Sequence, residues 1–268
     1  MMPLSSLLRD YEQVILDLDG CVWIGGQAVD GSVEAIGALR AAGKRVAFVT
    51  NNSWHGAEDQ VATLWGLGVQ ASLTDVVTVG GALQHLLSET WPGASAFVIG
   101  RPSLRRHVTD AGLTLLNGTD LASRADVVVV GGTDDLSYDD LRNAALSVRR
   151  GAELLATARD PTLPMPEGLW PGTGAILAAV ETASEGSATI VGKPQPQLFH
   201  TALDRMGEGR TLVVGDRLDS DVAAAAAAGL DAALVLSGGA TRAPARAAPA
   251  PGPVVVTGAL GGLVFGVR

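Results

Sequence analysis

Short apolar runs alternate along the chain with Ala- and Leu-rich stretches that repeat at helical spacing. This alternation is the signature of a parallel sheet covered by helices on both faces. "VILDLD" (14–19) reads as a first strand, followed by the Gly-rich turn "WIGGQ" and by "SVEAIGALRAAGK", an amphipathic helix closing at Gly43. "RVAFVTNN" (45–52) is the next strand. Further on, "ATIVGKP" and "TLVVGDRLDSD" read as two more strands of the same sheet, separated by the helix "PQLFHTALDRMG" and followed by an alanine helix; "AALVL" and "PVVVTG" complete its edge. Between them lies a second series, "SAFVIG", "ADVVVVGG" and "AELLATARD", with "PSLRRHVTDAG" and "SYDDLRNAALSVRRG" as its helices. The pattern therefore predicts an α/β protein with a three-layer core domain over residues 1–79 and 175–268 and a smaller α/β insert over 80–174. Hinges are expected near Val79–Gly81 and Pro171–Gly174.

Composition narrows the class. A chain of 268 residues with 47% hydrophobic positions can bury a sizeable core. Its net charge of −9 and pI near 4.8 argue against nucleic acid as a partner, because phosphate-backbone binding draws on clustered Lys and Arg. The single cysteine, Cys21, excludes an internal disulfide and a Cys-cluster metal site, and fits a reducing compartment. His55, His85, His107 and His200 lack ligand spacing. The N-terminal "MMPLSSLLRDYEQ" has neither a basic region nor a long apolar one, and "DVAAAAAAGLDAALVL" is broken by glycine and Asp231. A cytoplasmic protein with no membrane partner is expected; a homodimer is compatible with the sequence, which does not fix the oligomeric state.

The first four strands share one property: each apolar run ends in residues able to handle phosphate or metal. These are Asp17 and Asp19, then Thr50, Asn51 and Asn52, then Lys193, then Asp216 and Asp221. Asp, Asn and Thr also terminate strands for local reasons. Asp17 resists that explanation, because it lies inside an apolar run where an unpaired charge costs several kcal/mol. The i, i+2 spacing sends Asp17 and Asp19 to one side of the strand and Leu16 and Leu18 to the other. In open parallel sheets, ligands bind outside the carboxyl ends of the strands. "GSATIVGKP" is not a Walker loop, since Gly186 is one residue too far from Gly192-Lys193 and proline replaces the required Ser or Thr. No G-x-G-x-x-G follows a strand, and Asp134 with Asp135 reads as a helix entry.

Asp17-Leu18-Asp19-Gly20, "VTNN", "VGKP" and "VGDRLDSD", in this order, resemble the four motifs of the haloacid dehalogenase superfamily, most closely its NagD-like phosphatases with an α/β cap between the second and third motifs. The resemblance implies hydrolysis of a small phosphorylated metabolite. Asp17 would be the nucleophile that forms an aspartyl-phosphate, and Asp19 the acid and base. Lys193 and Thr50 would complete the catalytic group, with Asn51 and Asn52 around the phosphate. Mg²⁺ would be held by Asp17, the backbone carbonyl of Asp19 and Asp216, with Asp221 orienting that shell. The superfamily's dehalogenases lack the second aspartate, so Asp19 favours phosphate-ester hydrolysis.

"TARDPTLPMPEGLWPGTG", irregular because of its prolines and glycines, reads either as a substrate-facing loop or as a structural connector. NagD-like relatives often carry Asn where Ala158 stands; Arg159, with Asp160 a candidate substrate-binding residue, is expected either to replace that contact or to face solvent. Similarity of this loop to members acting on glycerol phosphate or phosphoglycolate implies a small polyol or acid. The same scaffold also accommodates a phosphotransferase, a sugar or nucleotide monophosphatase, or a non-catalytic phospholigand-binding protein. Trp23 and Trp54 lie beside the first two motifs, where they could line the entrance or pack. "GGATRAPARAAPAPGP" reads as a connector without function.

Overall fold

The structure, a computed structural model, describes residues 3–240 and 251–266. The strand Gln13–Asp17 is buried along its whole length, as the continuous apolar run requires when both faces of a parallel sheet are covered. It is a central strand of a six-stranded parallel sheet ordered Val255–Thr257, Asp231–Val235, Thr211–Gly215, Gln13–Asp17, Arg45–Thr50 and Val76–Thr78. Ile15 turns into one buried cluster with Val49 and Val213, while Val14, Leu16 and Leu18 turn into another with Phe48 and Val214. That alternation places Asp17, two residues beyond Ile15, on the Ile15 side at the carboxyl end of the sheet.

A five-stranded sheet forms the second region, ordered Thr189–Ile190, Glu153–Ala156, Val127–Val130, Ser95–Ile99 and Thr114–Leu115. Its first strand corrects the sequence reading. "ATIVGKP" pairs Thr189 and Ile190 with Leu155 and Ala156, so it is an edge of the second sheet and not a strand of the first. The helix Thr173–Ser184 packs its Ile176, Leu177 and Val180 with Phe97, Val128 and Leu154, again in the second region. By strand pairing, then, the chain returns to the first sheet after Ile190, later than the expected residue 175.

The expected glycine hinges have other uses. Val79–Gly81 is the first turn of the helix Val79–Thr90, capped by Thr78, whose side chain accepts from the Gly81 N–H. A Cβ on Gly80 would come within 2.5 Å of His107, so this glycine permits a close helix contact. Gly172 and Gly174 similarly approach the backbone of Asp160 and Arg159. The expected irregular loop is partly regular: Thr162–Met165 and Gly168–Pro171 form an antiparallel hairpin. Its prolines are tolerated because each strand has only one neighbour. Of the connector "GGATRAPARAAPAPGP", residues 241–250 lie outside the described residues. Among the described residues, no helix is long and apolar enough to cross a membrane.

Candidate active site

The carboxyl ends of Gln13–Asp17, Arg45–Thr50 and Thr211–Gly215 meet the segment Gly192-Lys193 in one pocket. Asp17, Asp19, Thr50, Asn51, Asn52, Lys193, Asp216 and Asp221 all line it. Lys193 Nζ donates to Asp17 Oδ1 at 2.5 Å and to Asp221 Oδ1 at 2.6 Å, and all three side chains are at least nine-tenths buried. Asp17, Asp216 and Asp221 each present a carboxylate oxygen within 4.8 Å of the others. Three carboxylates against one ammonium leave two negative charges uncompensated in a buried place. Burial pushes the Asp17 carboxyl well above its ordinary value although Lys193 pulls it down, and burial with the Asp221 charge pushes Asp216 up to about 7. Burial alone would lower Lys193, but the charges of Asp17 and Asp221 outweigh it and raise the ammonium above its usual range. The set of hard carboxylate oxygens around this excess charge fits a divalent cation of the Mg²⁺ type.

Asp19 stands apart from that trio. Its Oδ1 accepts from Trp23 Nε1 at 3.1 Å, and its Oδ2 accepts from Asn52 Nδ2 at 3.1 Å and Thr50 Oγ1 at 3.4 Å. Burial still raises its carboxyl above the ordinary value, against the lowering by Asn52 and Trp23. A carboxyl so placed keeps a proton more readily than its neighbours in water would. Gly20 makes the turn after it at φ +86°, and a Cβ there would lie 2.5 Å from Asp216 Oδ2.

Asn51 and Asn52 serve the protein's own groups. Asn51 Oδ1 accepts from the Lys193 backbone N–H at 2.8 Å, and its Nδ2 donates to the Lys193 carbonyl at 3.0 Å and to Asp160 Oδ2 at 3.1 Å. The side chain thus fixes the segment carrying the ammonium. Asn52 links the Asp19 carboxylate to the loop that follows, accepting from the Trp54 N–H at 2.9 Å. Asp221 does more than sequence suggested: besides receiving Lys193, its Oδ2 accepts from the backbone N–H groups of Asp216 and Arg217 at 3.1 and 3.0 Å.

The second region contributes Ala158, Asp160, Thr162, Leu163, Pro164, Pro171 and Thr173 to the pocket. Asp160 is brought in, paired with Arg217 Nε at 3.1 Å. Arg159 is not. Its guanidinium turns outward and makes two hydrogen bonds with Glu181, at 2.8 and 2.7 Å, so the expected substrate contact is corrected. Successive residues diverge here because Ala158 and Asp160 face inward, and the carboxylate of Glu181 on Thr173–Ser184 captures the intervening side chain. Sequence reasoning also missed Arg217 and the Gly239 N–H, which donates to Asp216 Oδ2 at 2.5 Å. Arg217 was visible between Asp216 and Asp219 as a cation among acids; the glycine carried no signal.

A haloacid dehalogenase-like hydrolase family model matches residues 14–114, and a HAD-hydrolase-like one matches residues 190–259. The D-glycerol 3-phosphate phosphatase of Mycobacterium tuberculosis is 38% identical over 88% of this chain, which spans 65% of that relative's length. A crystal structure of the mycobacterial glycerol phosphate phosphatase with magnesium superposes with a TM-score of 0.85 at 37% identity, covering 97% of this chain and 78% of that one. The acid sugar phosphatase of Staphylococcus aureus is 33% identical over 86% of this chain and 88% of its own length. NagD from Escherichia coli K-12 gives a TM-score of 0.78 at 28% identity, covering 93% of this chain and 97% of that one.

Proposed function

Since the chain belongs to the haloacid dehalogenase-like hydrolases, in the NagD-like group, we propose that it is a Mg²⁺-dependent phosphatase of small phosphate monoesters, with glycerol phosphate as the foremost substrate. The observation that carries this reading is the buried Lys193 bridging Asp17 and Asp221 beside Asp216, with Asp19 held separately by Trp23 and Asn52. Lys193 donates to Asp17 and so works against the pull of burial, favouring the ionised carboxylate that a nucleophile requires. Burial raises Asp19, which favours the proton that an acid requires.

Asp17 attacks phosphorus and the bond to the ester oxygen breaks, leaving an aspartyl-phosphate. Asp19 gives its proton to the departing alkoxide. Asp19 then takes a proton from water as that water attacks the same phosphorus, the bond to Asp17 breaks, and inorganic phosphate leaves. Lys193 and the Thr50 hydroxyl are the chain's own donors toward the phosphoryl oxygens. Asp17 and Asp216, with the Asp19 carbonyl, would hold Mg²⁺, which would supply charge against the repulsion between carboxylate and phosphate. Asp221 keeps Lys193 and the Asp216 backbone in place. A neutral polyol is favoured over phosphoglycolate because the cations lining the pocket are Lys193 and Arg217, and each already faces a carboxylate.

Phosphate release from a panel of monoesters tests the reading. Glycerol phosphate should be hydrolysed with Mg²⁺ and not after chelation, and Asp17→Asn should abolish turnover while circular dichroism stays unchanged. Full activity in that variant, or in the chelated enzyme, rejects the assignment; transfer to an added alcohol in place of water would make the chain a phosphotransferase.

A further inference from the structure

Trp54 lies two residues beyond Asn52, half-buried in the pocket wall. Elements of the second region clamp it from several directions. The Arg101 guanidinium lies over the indole, 4.3 Å from the ring centroid, and is itself tied to Asp134. Ser103 Oγ donates to the carbonyls of Ser53 at 3.0 Å and Trp54 at 2.9 Å. Gly132 approaches so closely that a Cβ there would be 2.3 Å from the indole Nε1. Ordinary packing would bury the ring; here it is immobilised at the edge of a cavity.

The place of that edge matters. Asn52 donates to Asp19 and accepts from the Trp54 N–H, so one amide separates the proposed acid from the start of the tryptophan. Trp54 and Asp19 line the same pocket, so a leaving group protonated by Asp19 departs through a space that Trp54 borders. The cavity measures about 60 Å³. Leu163, Pro164 and Pro171 line the same cavity.

We propose that Trp54 determines specificity: its clamped indole admits a short acyclic leaving group and rejects one whose ring begins at the ester oxygen. The assignment rests on the phosphatase reading above, and it adds the residue that sets the preference for a compact polyol ester.

The test compares kcat/KM for glycerol 3-phosphate and a hexose 1-phosphate in wild type, Trp54→Ala, Trp54→Phe and Arg101→Met. Wild type should prefer glycerol phosphate by at least about tenfold. Trp54→Ala should move that ratio toward the hexose ester by at least about tenfold, the scale on which apolar walls discriminate. Trp54→Phe should move it by less than about threefold, and Arg101→Met should shift it in the same direction as alanine by a smaller factor. An alanine variant that lowers both substrates alike makes Trp54 a structural residue and overturns the assignment; should alanine fail to fold, Trp54→Leu reads the same ratio. Wild type releasing phosphate from no ester in the panel defeats the phosphatase reading and this assignment together, whereas turnover with an unmoved ratio defeats this assignment alone.

Discussion

Asn51 spends its whole amide on other parts of the protein, receiving the Lys193 N–H and donating to the Lys193 carbonyl across 142 positions of chain. Replacing it with alanine leaves a buried N–H and C=O without partners, at about 1–3 kcal/mol each. Asn51→Ala should therefore lower both unfolding free energy and kcat, as read by denaturant titration and phosphate release. Arg159→Ala should leave the order of substrates unchanged, because its guanidinium is spent on Glu181; a reordered panel would return Arg159 to the site. The motif "TNN" marked Asn51 as a candidate, yet nothing local could say that its amide meets the lysine. A pattern in sequence reports residue type and spacing, and a bond between distant segments has neither.

Elements were legible to the degree that their reasons are local. The run "VILDLD" announces a doubly covered strand, and its parity puts Asp17 and Asp19 together. "ATIVGKP" announces a strand equally well but not the sheet that takes it, since an apolar pair at an edge fits either partner. The hairpin Thr162–Pro171 escaped because its prolines read as breakers, a rule that edge strands relax. Gly20 is the reverse case. The motif marks it, and the structure gives the reason: a positive φ and no space beside Asp216. Gly20→Ala should displace the Asp216 carboxylate and weaken Mg²⁺ binding by about tenfold or more, measured by calorimetric titration; unchanged affinity would count against Asp216 as a ligand.

Across the whole molecule, the buried acids make metal-free stability depend on pH. Asp17 and Asp216 are raised in the folded state above their ordinary 3.8, Asp216 to about 7. The folded protein holds more protons than the unfolded chain above about pH 4, so their contribution is complete below that pH and is lost as pH rises, for Asp216 through about 7. Glu181, Asp126 and Asp231, held down by their hydrogen bonds, act oppositely, losing their contribution as pH falls below the ordinary carboxylate range. The chelated protein should thus melt lower at pH 7.5 than at pH 5.5, and the Tm gained on adding Mg²⁺ should be larger at the higher pH. Asp216→Asn should flatten that difference; a Tm gain independent of pH would remove these acids as its source.

The edge strand Thr189–Ile190 ends only three residues before Lys193. The ammonium at the heart of the pocket is therefore leashed to the second sheet, while of its two carboxylate partners Asp17 ends a strand of the first sheet and Asp221 lies on the helical turn Leu218–Val222. Swinging the cap would strain that leash, and Asn51 is the peg that keeps the charge on station. Any opening of the second region would loosen the grip on phosphate in the same act.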